Sequence, residues 1–235
     1  MKVIFAGPSL PDAASLAGGA IRVLPPATQG DVRAAVEQGA NVIGLIDGGF
    51  EYAAPVWHKE ILYALSLGVT VLGAASMGAL RAAECQSFGM IGIGRIFEDY
   101  RTGRLIDDAA VALVHAPRAL GGKPLTIPFV NVSATLDAME SKELLPGGLR
   151  QVIEDAANAI FFKSRTWRAI VEQCAGIAEQ DRPHLLATLV SHSVDQKRID
   201  ALELLKAVQA AGDLRVNADL SWKLQETSFS TRPAL

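Results

Sequence analysis

Cysteine is scarce in this chain: Cys85 and Cys174 are the two present among 235 residues, and each falls inside a helical pattern far from the other. Neither a C-x-x-C redox pair nor a zinc knuckle can be built from them, so both read as buried packing residues, and a persulfide relay is disfavoured. Excess charge of either sign is lacking too. Lysine and arginine number 22 against 25 acidic residues, a formal net charge of −3, which supplies no basic footprint for nucleic acid and leaves open one anionic ligand in a local pocket. No apolar run approaches the length of a membrane span, and the opening KVIFAG has neither the apolar stretch nor the cleavage site of a secretory signal. A cytoplasmic protein without a membrane partner is expected. His184 and His192, eight apart in a helical pattern, suit surface or packing positions better than metal ligation. Asp107-Asp108 reads as a helix-capping pair. The glycine-rich run from Phe88 to Arg95 follows a helix where a phosphate-binding loop needs a strand, which argues against a nucleotide module. No metal and no cofactor is expected.

Half of the residues are hydrophobic and a fifth are charged, enough to bury a substantial core. Apolar runs at Lys2 to Ala6, Ile21 to Leu24, Asn41 to Ile46 and Val69 to Leu72 read as strands, the second ended by Pro25 and Pro26. Helical patterns separate them: a short one from about Asp12, one from Asp31 as cap, and one over Val56 to Leu67. Alternation of this kind implies an α/β fold with a doubly wound, mostly parallel sheet of the Rossmann or flavodoxin type. Pro117 to Val132 reads as an irregular connection with an edge strand at Leu125 to Val130. Helical patterns then follow, including Ser133 to Ser141, Leu149 to Cys174 with a break near Lys163, and Gln196 to Ala211. The expected organisation is an α/β core over 1–132, a C-terminal all-helical appendage over 133–212 and a polar tail over 213–235, in which Trp222 and Phe229 hint at docking.

Doubly wound sheets bind ligands beyond the carboxyl ends of their strands. Three strand tips carry small or polar residues there: Gly7-Pro8-Ser9, Asp47-Gly48-Gly49 and Ala75-Ser76. The stretch VTVLGAASMGALRAAEC, from Val69 to Cys85, runs a strand through a serine into a helix, the arrangement of a nucleophile elbow, with Ala74-Ala75-Ser76-Met77-Gly78 departing from G-x-S-x-G by one alanine. The simpler reading makes Ser76 a helix cap. With His58 on the inward stripe of its helix (His58, Ile61, Leu62, Leu65), a hydrolytic set follows. His58 takes the proton of Ser76, Asp47 or Glu60 orients His58, the Met77 N–H at the Gly78 turn holds an oxyanion, and a second donor comes from the Pro8-Ser9 or Gly48-Gly49 loop. By base rate, a histidine on an apolar helix face is a core residue.

The segments GPSL at Gly7, PPATQGDV at Pro25, IDGGF at Ile46, WHKEIL at Trp57, GAASMGALRAAE at Gly73 and FGMIGIG at Phe88 closely resemble the TfuA-like family over about Val3 to His115; the helical half carries no matching motif. The resemblance implies a partner of YcaO enzymes in installing thioamides on ribosomally made peptides or protein backbones. There YcaO activates the amide oxygen with ATP and magnesium, and the TfuA-like protein provides sulfur from a ubiquitin-like carrier ending in a thiocarboxylate. The implied activity is serine hydrolysis of that thiocarboxylate, with a precursor peptide as a further candidate partner. The alternative is a noncatalytic adaptor or allosteric activator of YcaO. Arg81, one turn beyond the elbow, is a candidate to attract the carrier's terminal charge, although an Arg81–Glu84 pair at i, i+3 accounts for it equally well.

Overall fold

A computed structural model of the chain describes residues 1–49, 51–116, 122–216 and 220–225. These divide into two compact units, one formed by residues 1–106 and the chain from 198 onward, the other by 107–197.

The first unit is built on five parallel strands, β1 (Lys2–Phe5), β2 (Ile21–Leu24), β3 (Val42–Leu45), β4 (Thr70–Gly73) and β5 (Ile91–Gly92), in the order β2-β1-β3-β4-β5. The helices are α1 (Ala13–Ala17), α2 (Asp31–Glu37), α3 (His58–Ser66), α4 (Met77–Cys85) and α5 (Arg95–Arg101). This is the doubly wound α/β architecture expected, with the strand order of the flavodoxin type. The strands are short, and Val3, Ile4, Val42, Ile43 and Val71 are each fully buried, as in a sheet covered on both faces. Alternation sends Ile4, Val42, Ile46 and Leu72 to one face, where they share a core with Leu10, Ala13 and Ala17 and with Ala201, Leu204, Leu205 and Val208. Those last four residues belong to a helix far along the chain, which runs over Gln196–Ala210. Gly44 in the middle of β3 makes its approach feasible: a Cβ there would lie 2.8 Å from Leu204 Cδ2 and 2.9 Å from Val208 Cγ2. The other face, with Leu45 and Gly73, is covered by α4.

The second unit is helical. It contains α6 (Phe129–Glu140), α7 (Leu149–Ala159), α8 (Trp167–Gln173) and α9 (Arg182–Ser191), and its core joins Val132, Leu136, Met139, Ile153, Ile170 and Leu189. The helix over Gln196–Ala210, α10, begins at the unit's end. The expected break in the 149–174 pattern is real: α7 stops at Ala159, and the buried Arg165 donates to the carbonyls of Ala157 at 2.9 Å and Ile160 at 3.1 Å at the helix's end. Burial pushes the Arg165 guanidinium down, opposed by the charge of Asp107.

Several boundaries differ from the sequence reading. The compact units meet at 106/107 and 197/198, not at 132 and 212, because α10 packs on the sheet. Residues 125–130 form no strand; Pro128 stands at the N-cap of α6. Asp107 does cap, its Oδ1 accepting the Ala109 N–H at 2.9 Å, but what it caps is a 3-10 turn over Asp108–Val111. Asp31 is the first residue of α2 with Gly30 as N-cap, and its carboxylate instead accepts the Thr28 N–H at 2.7 Å. Gly92 and Gly94 provide close packing, against Phe97 and Asp200. Trp222 docks, donating to the Phe88 carbonyl at 3.1 Å and stacking edge-on against its ring; Phe229 lies outside the described residues. Among the described residues no helix is long and apolar enough to cross a membrane, and no group of His, Cys, Asp and Glu could hold a metal ion.

Candidate active site

The strand order reverses between β1 and β3, and in folds of this type a ligand anion sits there on loop N–H groups. Here the chain supplies the anion. Asp47, buried just past β3, accepts the N–H of Gly7 at 2.8 Å and of Ser9 at 3.0 Å on Oδ2, and the Ser9 hydroxyl at 2.6 Å on Oδ1. Pro8, half-buried, sits between the two donors. The neighbouring loop is laced to the same tip: the Ala27 N–H donates to the Asp47 carbonyl at 2.9 Å and the Gly49 N–H to the Ala27 carbonyl at 2.8 Å. Asp47 therefore fixes the β1 loop, and it makes no bond to His58.

One strand over, β4 ends and the chain turns sharply. The Ser76 N–H donates back to the Ala74 carbonyl at 2.7 Å around Ala75, whose φ is +68°. This is a γ-turn of the rare, strained kind, costly for any residue with a Cβ. Ser76 stands at the N-cap of α4, but its side chain makes no capping bond, and its hydroxyl has no hydrogen-bond partner among the described residues. Capping thus does not account for this serine. The helix start is pressed onto the sheet at Gly78, where a Cβ would lie 1.8 Å from the Leu45 carbonyl oxygen. That contact lets the Gly78 N–H donate to Ile46 at 3.2 Å, so Gly78 is not available to an oxyanion. Two N–H groups are left over. Neither the Met77 nor the Gly48 N–H makes a hydrogen bond among the described residues; Met77 opens α4, where helix N–H groups lack an intrahelical partner, and Gly48 is half-buried. They are neighbours, since a Cβ on Gly48 would lie 2.8 Å from Met77 Cγ.

The third group lies along α4. His58, the first residue of α3, has its Nε2 2.8 Å from Glu84 Oε2, and the same oxygen accepts Arg81 Nη1 at 2.6 Å. Arg81 is buried and also donates from Nε to the Val56 carbonyl at 2.9 Å. The Arg81–Glu84 pair weighed from spacing is thus formed. The His58 side chain is 50% exposed, so it is not the inward-facing residue that the helical stripe implied; α3 begins at His58, and its first residue hangs at the helix's open end. Glu84 lies eight residues beyond Ser76, about 12 Å along the helix axis, and His58 makes no hydrogen bond to Ser76. Glu60 is elsewhere again. Its Oε1 accepts the N–H of Trp57 at 3.3 Å, while Oε2 is buried without a hydrogen bond. Burial pushes this carboxyl up, opposed by the nearby N–H groups of Gly30, Trp57 and Arg33.

Of the residues singled out from sequence, Ser76, Met77 and Gly48 form one group; Asp47, Gly7, Pro8 and Ser9 with the Gly49 loop form a second; His58 and Arg81 form a third with Glu84. Glu84 was legible only as the i+3 partner of Arg81, because nothing in sequence links it to a histidine on another helix. Burial pushes the Cys85 thiol up to about 11 and raises that of Cys174, so neither is a ready thiolate.

No curated protein matches the chain. The profile of the TfuA-like protein family matches residues 47–166, just over half of the chain. The match begins at Asp47, takes in the WHKEIL, GAASMGALRAAE and FGMIGIG segments, leaves GPSL and PPATQGDV outside, and continues past His115 through α7, where no motif was readable. With the parallel sheet that presents Ser76 at its carboxyl end, this match assigns the chain to the TfuA-like protein family.

Proposed function

We propose that this chain serves YcaO-dependent thioamidation by hydrolysing the C-terminal thiocarboxylate of a ubiquitin-like carrier protein, with Ser76 as nucleophile and His58 as base. The observation that carries this reading is the condition of Ser76: a hydroxyl that neither caps its helix nor bonds any described group, presented by a strained turn at Ala75 beside the unpaired N–H groups of Met77 and Gly48. Ser76 Oγ attacks the carbonyl carbon of the thiocarboxylate as its proton passes to His58, and the tetrahedral oxyanion is held by the Met77 and Gly48 N–H groups. The C–S bond breaks, and hydrosulfide leaves with the proton from His58. Water then cleaves the acyl ester, one proton returning to Ser76 Oγ and the other released through His58. The sum is thiocarboxylate plus water giving carboxylate plus hydrogen sulfide, which YcaO consumes at the activated amide of its peptide substrate. His58 stands bound to Glu84, eight residues along α4 from Ser76, so this proton transfer requires that carrier binding bring His58 and Ser76 together. The two buried, raised thiols favour direct release over a persulfide relay.

The second reading, a noncatalytic adaptor or activator of YcaO, draws on a specific observation too: His58 is bound to Glu84 and Asp47 to Ser9, so no relay to Ser76 stands assembled. Sulfide release from a thiocarboxylated carrier by the purified chain separates the two. The hydrolase reading expects release by the wild type and a loss of about 10³-fold or more in Ser76→Ala and His58→Ala. The adaptor reading expects no release by any of the three, with YcaO binding intact.

A further inference from the structure

We infer that Glu84 is the carboxylate that positions His58, and that Arg81 holds Glu84 to that task; the inference rests on the hydrolase reading above. The two carboxylates that the sequence offered for this task are committed elsewhere. Asp47 takes two N–H groups and a hydroxyl of the β1 loop, and Glu60, two residues beyond His58 and hence on another helix face, takes the N–H of Trp57. Glu84 Oε2 stands 2.8 Å from His58 Nε2. The buried Arg81 guanidinium grips this oxygen at 2.6 Å with Nη1 and the Val56 carbonyl at 2.9 Å with Nε. One cation therefore ties the segment that carries His58 to the helix that carries Glu84.

A carboxylate accepting from Nε2–H fixes the neutral imidazole in the tautomer whose lone pair is on Nδ1. Nδ1 has no hydrogen-bond partner among the described residues, and the ring is half exposed. The base atom for the Ser76 proton is then Nδ1, and Glu84 fills the place that a buried aspartate fills in other hydrolytic triads. Glu84 is a positioning residue: it touches neither the carrier nor the reacting atoms.

The test uses the full chain labelled with ¹⁵N-histidine, wild type and Glu84→Gln, with a semisynthetic carrier bearing a C-terminal thiocarboxylate. The Glu84 side chain is 37% exposed, so the glutamine is accommodated. The expected wild-type spectrum of the neutral ring shows the proton on Nε2 and a bare Nδ1. Glu84→Gln should lose that tautomer preference and lower kcat for sulfide release about 10²-fold or more, with KM within about threefold. Wild-type kcat in Glu84→Gln, or a His58 spectrum that the substitution leaves unchanged, overturns the inference while the hydrolase reading stands. A wild-type chain that releases no sulfide overturns the hydrolase reading, and the inference with it.

Discussion

Glu60 and His58 are two residues apart on α3 and bind different partners. Glu60 is buried, its carboxyl raised by burial, so the folded chain binds its proton more tightly than the unfolded chain does. Stability attributable to this group is therefore greatest below the ordinary carboxylate range and falls as pH rises through that range toward the raised folded value. Glu60→Gln removes the ionisation, and its Tm relative to wild type should be higher near pH 7.5 than near pH 4; an equal difference at both pH values would show that Glu60 carries no such cost. Gly78 gives a second test. In a helix, Gly→Ala ordinarily stabilises by about 1 kcal/mol, but a Cβ here meets the Leu45 carbonyl oxygen at 1.8 Å, so Gly78→Ala should destabilise by about 1–3 kcal/mol in urea unfolding. At this scale the sequence was informative where a residue's place is set by its own neighbours, as with Ser76 at the turn from β4 to α4. It was silent where the partner lies elsewhere: Asp47 binds the β1 loop some forty residues back, and His58 binds a glutamate twenty-six residues ahead.

The elements show the same division. Strand period and flanking glycine or proline placed β1 to β4 within a residue or two, because alternation and turn chemistry are local. The apolar stripe of α10, at Ala201, Leu204, Leu205 and Val208, was readable as the buried face of a helix, but a stripe does not say what covers it, and here it is the sheet. Asp200, beside that stripe, is buried and accepts the Ile96 N–H at 2.8 Å at the start of α5, joining α10 to the end of the sheet. Asp200→Ala leaves this donor unpaired and should cost about 1–3 kcal/mol, measured by chemical denaturation; a cost within about 0.5 kcal/mol would assign the anchoring to packing alone.

At the scale of the whole chain, the α/β unit is discontinuous, interrupted by the helical residues 107–197 and completed by α10. A chain ending at Lys197 lacks the helix that covers Ile4, Val42 and Leu72, and circular dichroism and limited proteolysis should find it unfolded; a native-like spectrum would mean that α10 is dispensable to the sheet. For the same reason, asking whether residues 107–197 contact YcaO calls for internal replacement of that unit and not for truncation of the chain.

The proposed chemistry turns on one atom, Ser76 Oγ. The most direct measurement is intact mass spectrometry of the chain quenched within milliseconds of mixing with a thiocarboxylated carrier. A serine nucleophile gives a covalent adduct of chain plus carrier less hydrogen sulfide, mapped to Ser76 and absent in Ser76→Ala. Sulfide release by Ser76→Ala at the wild-type rate, with no adduct on either chain, would contradict it.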